Sequence, residues 1–187
     1  MTLVIGLVGE KGSGKQTFVN FVKELFPSSS IRQVRFSDIL AQTLMLWDIP
    51  QTRPNLQKLA IIMNDAFGAT ALASAAKFSM EDDPSDIIIL DGIRRASELR
   101  LVKEMTNSIV IYITAEQELR YKRLKLRSEK VGEVGLSFEQ FLKEEQSKAE
   151  SEIPEISKKA DVTLENNSSK EEFKNKIKQL RILDKPE

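Results

Sequence analysis

The sequence of 187 residues contains no cysteine and no histidine. Without cysteine the chain has no disulfide, no thiolate nucleophile and no thiolate ligand for structural zinc. Without histidine it has no imidazole to act as general base, metal ligand or pH switch, which excludes Ser-His-Asp catalysis. Any chemistry therefore depends on lysine, arginine, carboxylates, hydroxyl groups and the backbone.

The chain also lacks a net charge and a long apolar run. Lys plus Arg and Asp plus Glu both number 28, so no overall positive field attracts nucleic acid or an anionic membrane. The apolar run from Leu3 to Val8 is too short to span a membrane and lacks the features of a signal peptide. We therefore expect a single cytoplasmic domain with no membrane partner and no stable nucleic acid binding.

Apolar, β-branched runs alternate along the chain with segments of helical periodicity. Residues 38–80 are predicted to be helical, with breaks at Pro50, Pro54 and Gly68, and Ser168 with Glu171 is predicted to cap a terminal helix. Strands are predicted at Leu3–Ile5, Ile31–Phe36, Asp86–Leu90, Ser108–Ile113 and Asp161–Glu165. This alternation predicts an α/β fold with a mostly parallel five-stranded sheet between two helical layers and a ligand site at the carboxyl ends of the strands.

The first predicted strand leads into the most informative motif. Gly9-Glu10-Lys11-Gly12-Ser13-Gly14-Lys15 has the spacing G-x-x-x-x-G-K and stands between a strand and a helix. Such a loop surrounds phosphates with backbone N–H groups, while its lysine reaches the β- and γ-phosphates of a nucleotide. The predicted nucleotide-binding residues here are Gly9, Gly12, Ser13, Gly14, Lys15, Gln16 and Thr17.

With this loop the sequence resembles the nucleoside monophosphate kinase group of P-loop proteins, adenylate kinases in particular, whose loop reads G-x-P-G-x-G-K-G-T. Those kinases also lack a hydroxyl residue after the lysine; here Lys11 stands at the proline and Gln16 at the glycine. The resemblance implies the P-loop NTPase fold with ATP and Mg²⁺ as cofactors. It also implies one domain with its core at 1–37, 81–119 and 137–187, a helical acceptor-binding insertion at about 38–80, and a lid at about 120–136.

Asp91 directly follows the buried run Ile87–Leu90, where a Walker B aspartate faces Mg²⁺ and its waters. The next residue is Gly92 rather than glutamate, which favours phosphoryl transfer to a bound acceptor over ATP hydrolysis. Asp91-Gly92-Ile93-Arg94 also resembles a motif of nucleotide and dephospho-coenzyme A kinases. That resemblance implies that Arg94 approaches the acceptor or the transferred phosphate, with Arg95 as the less favoured alternative.

Asp38 follows the second predicted strand and resembles the aspartate that faces the acceptor and the metal in these kinases. The alternative is that Ser37 or Asp38 only caps a helix. Adenylate kinases usually carry an arginine just after the corresponding leucine, but here the residue is Ala41, which argues against AMP as the specific acceptor. Nearby, Trp47 is predicted to lie in the core or to line the acceptor pocket.

Three arginines form the last constellation. Arg120, Arg123 and Arg127 fall within roughly 60° of one another around a helix and suit a triphosphate, although a solvated helix face is the alternative. The resemblance places a lid here with the same R-x-x-R-x-x-x-R pattern. It also implies that the backbone at Asn166, in the pattern A-D-x-x-x-x-N, borders the ATP adenine.

These observations favour a kinase that transfers the γ-phosphoryl group of Mg-ATP to a nucleoside or deoxynucleoside monophosphate. The predicted catalytic residues are Lys15, Asp38, Asp91, Arg94, Arg120, Arg123 and Arg127, and Asp91 and Asp38 are the predicted metal ligands. One alternative is a kinase like dephospho-coenzyme A kinase, which phosphorylates a ribose hydroxyl. A second alternative, from another class, is a non-catalytic ATP-binding regulatory module. In both kinase alternatives the partner is a small, nucleotide-like acceptor.

Overall fold

A computed structural model describes residues 2–126, 137–147 and 150–180 of the chain. Its strands are β1 (Leu3–Val8), β2 (Ile31–Arg35), β3 (Ile87–Ile93), β4 (Ser108–Thr114) and β5 (Val162–Glu165). They form one sheet in the order β2-β3-β1-β4-β5, and each neighbouring pair is parallel. The predicted five-stranded α/β fold is therefore confirmed, and the carboxyl ends of all five strands meet at one edge of the sheet.

Helices connect these strands. Those in the described part of the chain are α1 (Lys15–Leu25), α2 (Phe36–Leu46), α3 (Arg53–Phe67), α4 (Ala71–Ser79), α5 (Ala96–Lys103), α6 (Gln117–Lys125), α7 (Phe138–Glu145), α8 (Ile153–Ser157) and α9 (Lys170–Lys178). Range 38–80 thus contains most of α2 together with α3 and α4. Pro50 and Gly68 lie between these helices as expected. Pro54 does not break a helix: it lies in the first turn of α3, where its missing N–H is not needed.

Two apolar clusters cover the two faces of the sheet. On one face, Phe18 and Val22 of α1 pack with Phe173 of α9 against the central strands. On the other face, Val102 of α5 and Ile153 of α8 belong to the second cluster. Burial of the central strands on both sides explains why their sequences are continuously apolar rather than alternating.

Several element boundaries differ from the sequence prediction. Strand β2 ends at Arg35 and Phe36 already belongs to α2, because Phe36 turns into the apolar cluster. Strand β3 continues through Asp91 to Ile93, since β1 and β2 extend far enough to pair with it. The terminal helix is capped one residue later than predicted, by Ser169 with Glu172.

No single helix of the described residues is both long and apolar enough to cross a membrane. Pro54–Phe67 and Ala71–Ser79, which are bent by 103° at their junction, meet the length and composition requirement only when they are counted together.

Candidate functional site

The loop 9–15 leaves the carboxyl end of β1 and runs directly into α1. Gly14 is the N-cap of α1 and has a φ of 109°, a conformation that glycine adopts without strain. A Cβ at Gly14 would lie 2.2 Å from Nδ2 of Asn166, and a Cβ at Gly12 would lie 2.6 Å from the carbonyl oxygen of Arg120. Glycine is therefore required at both positions, because the back of the loop is pressed against protein.

Asn166 fixes the back of the loop. Its side chain is buried and donates from Nδ2 to the carbonyl oxygen of Ser13 at 2.8 Å. Its backbone N–H donates to Thr114 at 2.8 Å, which ties the end of β5 to the end of β4. Ser13 is fully buried, and its Oγ has no hydrogen-bond partner within the described ranges. Asn166, whose backbone is predicted to border the adenine, thus also supports the phosphate loop through its side chain.

Lys15 lies at the start of α1 and bends back over the loop. Its Nζ donates to the carbonyl oxygens of Gly9, at 2.6 Å, and Glu10, at 2.9 Å. Burial lowers the pKa of Lys15 to about 8; the carboxylates of Asp91, Glu150 and Glu10 oppose this effect, whereas Arg94 adds to it. An ammonium that is bonded only to carbonyl oxygens can exchange these contacts for phosphate oxygens, which carry full charge.

We expect the affinity for ATP to fall as the pH rises through about 8, the pKa of Lys15. Bound phosphates favour the charged ammonium, so the pKa of Lys15 is higher in the complex than in the free protein. Binding above the free pKa therefore requires uptake of a proton, which weakens affinity. Calorimetric titration with a non-hydrolysable ATP analogue across a neutral-to-alkaline pH series measures this. Lys15→Met should lack the alkaline loss, and a flat wild-type profile would contradict the assignment.

Asp91 lies near the carboxyl end of β3, beside β1 and β2, and is 8% exposed. Its Oδ2 accepts a hydrogen bond from Nε2 of Gln33 at 2.8 Å and lies 3.4 Å from Nε of Arg35. Its Oδ1 is buried and has no hydrogen-bond partner in the described chain. The structure therefore leaves one carboxylate oxygen of Asp91 for a ligand that it does not itself supply.

Oδ1 of Asp91, which has no partner among the described residues, lies where the sequence predicts a ligand for Mg²⁺. Within the described ranges, no group of three or more His, Cys, Asp or Glu residues could hold a metal ion. Mg²⁺ at a phosphoryl-transfer site is usually held by one or two carboxylates, substrate phosphates and waters. Oδ1 of Asp91, aided by nucleotide phosphates, meets that requirement. Asp38, the other predicted ligand, is exposed in the first turn of α2.

Asp38 is not the N-cap of α2, and neither is Ser37. The N-cap residue is Arg35, and α2 makes no side-chain cap hydrogen bond at that end. The alternative in which Ser37 or Asp38 caps the helix is therefore wrong, because the helix begins two residues earlier than a Ser37 cap requires and three residues earlier than an Asp38 cap requires. The role of Asp38 toward an acceptor or a metal stays a prediction.

Gln16 occupies the position after the loop lysine, and its amide is engaged by protein groups. Its Oε1 accepts from Nε2 of Gln33 at 3.2 Å and from Nη2 of Arg35, and its Nε2 donates to Asn20 at 2.9 Å. Gln33 and Arg35 were not singled out in the sequence. The polar pattern Arg32-Gln33-Val34-Arg35 at the end of a strand was the signal available for them.

Arg94 follows β3 and is positioned by two carboxylates. Glu98 accepts from the backbone N–H groups of Arg94, at 2.7 Å, and Arg95, at 3.1 Å. Burial raises the pKa of Glu98, although these hydrogen bonds oppose the effect. Nη1 of Arg94 also lies 3.4 Å from Oε1 of the buried Glu150, which is 3.8 Å from Nζ of Lys11. Glu150 thus joins the phosphate loop to Arg94, a link with no signal in the sequence.

The arginine stripe contacts protein in this structure. Arg120 is buried; it donates from Nε to the carbonyl oxygen of Ala115 at 2.9 Å and pairs with Glu145. Arg123 donates to the carbonyl oxygen of Asn166 at 2.8 Å. Arg127 and range 127–136, most of the predicted lid, lie outside the described residues. Contacts from these arginines to a triphosphate stay a prediction.

The chain is similar to known proteins in both sequence and fold. No protein-family model matches the sequence. This chain resembles archaeal UPF0200 proteins. It is 28% identical over 183 residues to a UPF0200 protein of Sulfurisphaera tokodaii, which covers 96% of this chain and 97% of the relative. It is 24% identical over 180 residues to a UPF0200 protein of Hyperthermus butylicus, covering 95% of this chain and 92% of the relative.

The solved structures that resemble this chain include TT1252 and shikimate kinases. TT1252 from Thermus thermophilus superimposes with a TM-score of 0.63 at 21% identity, covering 95% of each chain. Shikimate kinase from Bacteroides thetaiotaomicron superimposes with a TM-score of 0.62 at 10% identity, covering 97% of each chain. At these identities the likeness shows a shared fold. The predicted fold is thereby confirmed.

Proposed function

We propose that this protein is a kinase that transfers the γ-phosphoryl group of ATP to a nucleoside or deoxynucleoside monophosphate. The observation that carries the proposal is the loop 9–15: its back is fixed by Asn166, and Lys15 bends over it with only carbonyl partners among the described residues. Backbone N–H groups at this loop and at the N-terminus of α1 bind the phosphates. The fold shared with shikimate kinases supports the same proposal.

Each residue around the loop has a different role in phosphoryl transfer. Lys15 exchanges its bonds to Gly9 and Glu10 for oxygens of the β- and γ-phosphates and stabilises the charge that develops on the transferred group. Asp91 would hold Mg²⁺ and its waters through Oδ1, and the ion would supply neutralisation of charge on the nucleotide phosphates. Arg94, whose side chain is half-exposed beside Glu150, binds the acceptor.

An anionic acceptor fits this edge of the sheet better than a neutral one. Arg94 is close enough to Lys15 to lower the pKa of Lys15 through charge repulsion. An anion placed between the two cations relieves that repulsion and gains two charge-assisted contacts. The phosphate of a nucleoside monophosphate has the required charge and is itself the nucleophile, so it needs no general base.

Release of ADP from ATP, measured against a panel of ribo- and deoxynucleoside monophosphates and dephospho-coenzyme A, tests the proposal. Turnover with a monophosphate supports it, and turnover with dephospho-coenzyme A alone favours a hydroxyl acceptor. Calorimetric binding of ATP without turnover on any acceptor favours a regulatory module. Lys15→Ala is the negative control for each assay.

Asp38→Asn separates the two acceptor classes. A ribose hydroxyl must lose its proton to a general base, which raises the rate of transfer roughly 10²- to 10⁴-fold, and Asp38 is the leading candidate for that base. A monophosphate oxygen needs no general base. For a monophosphate acceptor we therefore expect Asp38→Asn to lower turnover by no more than about tenfold, through poorer positioning. Steady-state kinetics with the best acceptor measures the loss. Near-complete loss of turnover with unchanged affinities for ATP, Mg²⁺ and acceptor would contradict the monophosphate assignment.

A further inference from the structure

Four polar side chains meet beside the phosphate loop: Gln16, Gln33, Arg35 and Asp91, here called the Arg35 cluster. Gln16 follows the loop lysine, Gln33 and Arg35 lie on β2, and Asp91 lies on the neighbouring strand in register with Arg35. Gln33 joins the cluster by donating to both Gln16 and Asp91. The guanidinium of Arg35 contacts Gln16 through Nη2 and faces Asp91 through Nε.

The cluster uses the oxygens that a metal ion would otherwise take. P-loop proteins commonly carry a Ser or Thr hydroxyl for Mg²⁺ directly after the lysine; here the residue is Gln16, whose Oε1 already accepts from two donors. Oδ2 of Asp91 is likewise engaged by Gln33 and Arg35. Oδ1 of Asp91 is left without a partner in the described chain. Within the cluster, Oδ1 of Asp91 is thus the oxygen left for Mg²⁺, and the Arg35 guanidinium lies beside it.

We propose that the guanidinium of Arg35 acts as a permanent cation beside the expected metal position. It contacts the nucleotide phosphates next to Asp91 and neutralises part of their charge even when no metal is bound. The inference rests on the proposed nucleotide site and deepens it. The observation behind it is that the guanidinium of Arg35 is hydrogen-bonded to Gln16, the residue after the loop lysine, and paired with Asp91, the candidate Walker B aspartate.

The geometry of Arg35 suits this role. Its side chain is 41% exposed, so the guanidinium is anchored but still accessible to a ligand. Nε and Nη2 are directed to Asp91 and Gln16, and Nη1 has no partner in the described part of the chain. A guanidinium keeps its charge at any physiological pH and offers planar donors to phosphate oxygens. Such a charge stays in place when Mg²⁺ dissociates.

The test is ATP affinity measured by calorimetry, once with Mg²⁺ and once with excess EDTA. Arg32 supplies the matched control, because it lies on the same strand with a similarly exposed side chain (40%) but pairs with Asp83. We expect Arg35→Met to lose at least about tenfold in metal-free ATP affinity, the value of a charged hydrogen bond. The loss with Mg²⁺ should be smaller, and Arg32→Met should match the wild type in both conditions.

Two outcomes overturn the inference. One is an Arg35→Met protein that binds metal-free ATP as tightly as Arg32→Met does. The other is an equal loss with and without Mg²⁺, which makes Arg35 an ordinary phosphate ligand outside the metal subsite. Failure of the proposed nucleotide site has a different signature, since the wild type would then bind ATP in neither condition. Failure of the kinase assignment alone gives a third signature, in which the wild type binds ATP but turns over no acceptor.

A second variant keeps the inference testable if Arg35→Met does not fold. Gln16→Ser removes the amide that holds Nη2 of Arg35 and supplies the hydroxyl that other P-loop proteins offer to the metal. We expect Mn²⁺, measured by water proton relaxation with ADP present, to bind at least about threefold more tightly to this variant than to the wild type. Unchanged or weaker Mn²⁺ binding contradicts the claim that the cluster displaces a metal ligand. Thermal unfolding followed by circular dichroism establishes that each variant is folded.

Discussion

Replacing Lys15 by alanine is expected to lower phosphoryl transfer by about 10³-fold or more while leaving the fold intact. The ammonium acts mainly on charge that develops during transfer, so kcat should fall further than the affinity for ATP. The fold should survive because burial disfavours the charged form of Lys15, as its lowered pKa shows. Removing this ammonium also removes a desolvation cost.

Steady-state kinetics with the best acceptor, together with thermal unfolding, measures this result. Lys23→Ala is the matched control, since Lys23 lies in the last turn of the same helix and is exposed. It should retain the wild-type rate. Equal turnover in Lys15→Ala and Lys23→Ala with every acceptor would contradict the assignment of kinase activity to this site.

Replacing Asp91 by asparagine is expected to reduce turnover by about 10²-fold or more and to raise the Mg²⁺ concentration needed for half-maximal rate. Asparagine keeps the shape of the side chain and can still accept a hydrogen bond from Gln33, which uses Oδ2 in the wild type. The change therefore removes the negative charge and leaves much of the packing. Without Mg²⁺, ATP affinity should stay the same or increase, because one negative charge beside the phosphates is lost.

A titration of rate against Mg²⁺ and a calorimetric titration of metal-free ATP distinguish these effects. Asp86→Asn is the comparison, because Asp86 lies just before the same strand, at the opposite end from the site, and accepts hydrogen bonds from Ser30. It should leave the Mg²⁺ titration unchanged. An unchanged Mg²⁺ titration in Asp91→Asn would reduce this carboxylate to a structural role at the end of the sheet.

Contiguous residues made the phosphate loop and the sheet predictable. The strand, the glycine loop and the helix follow one another within 25 residues, so their spacing in the sequence is also their geometry. The apolar runs at 87–90 and 108–113 likewise indicated central strands without any long-range information. Asp91 was found because it directly follows such a run.

The Arg35 cluster and Glu150 could not be predicted in this way. Arg35 meets Asp91 through strand register across 56 residues, and Glu150 meets Arg94 only after the chain has passed α5, β4, α6 and α7. The capping error has a local origin: Ser168-Ser169-Lys170-Glu171-Glu172 satisfies the capping pattern in two registers. Packing of Phe173 into the core is the tertiary contact that distinguishes them.

Helix periodicity placed Arg120, Arg123 and Arg127 on one stripe but said nothing about what the stripe faces. Arg120 and Arg123 face the back of the phosphate loop and the segment after β5.

The position of Trp47 also differs from the sequence prediction. An indole in an apolar stretch was expected in the core or in a pocket wall. It is 73% exposed at the C-terminal end of α2, so the expectation of a core position is wrong.

The exposure of Trp47 gives the chain an intrinsic optical reporter. Trp47 is the only tryptophan in the sequence, so its emission reports on the surroundings of one indole at the end of α2, within the segment expected to bind the acceptor. A hydrated indole emits at long wavelength and is readily quenched by iodide. A ligand that draws α2 toward the loop and covers Trp47 will shift the emission to shorter wavelength and protect it from iodide. Binding of unlabelled acceptors can thus be followed without turnover.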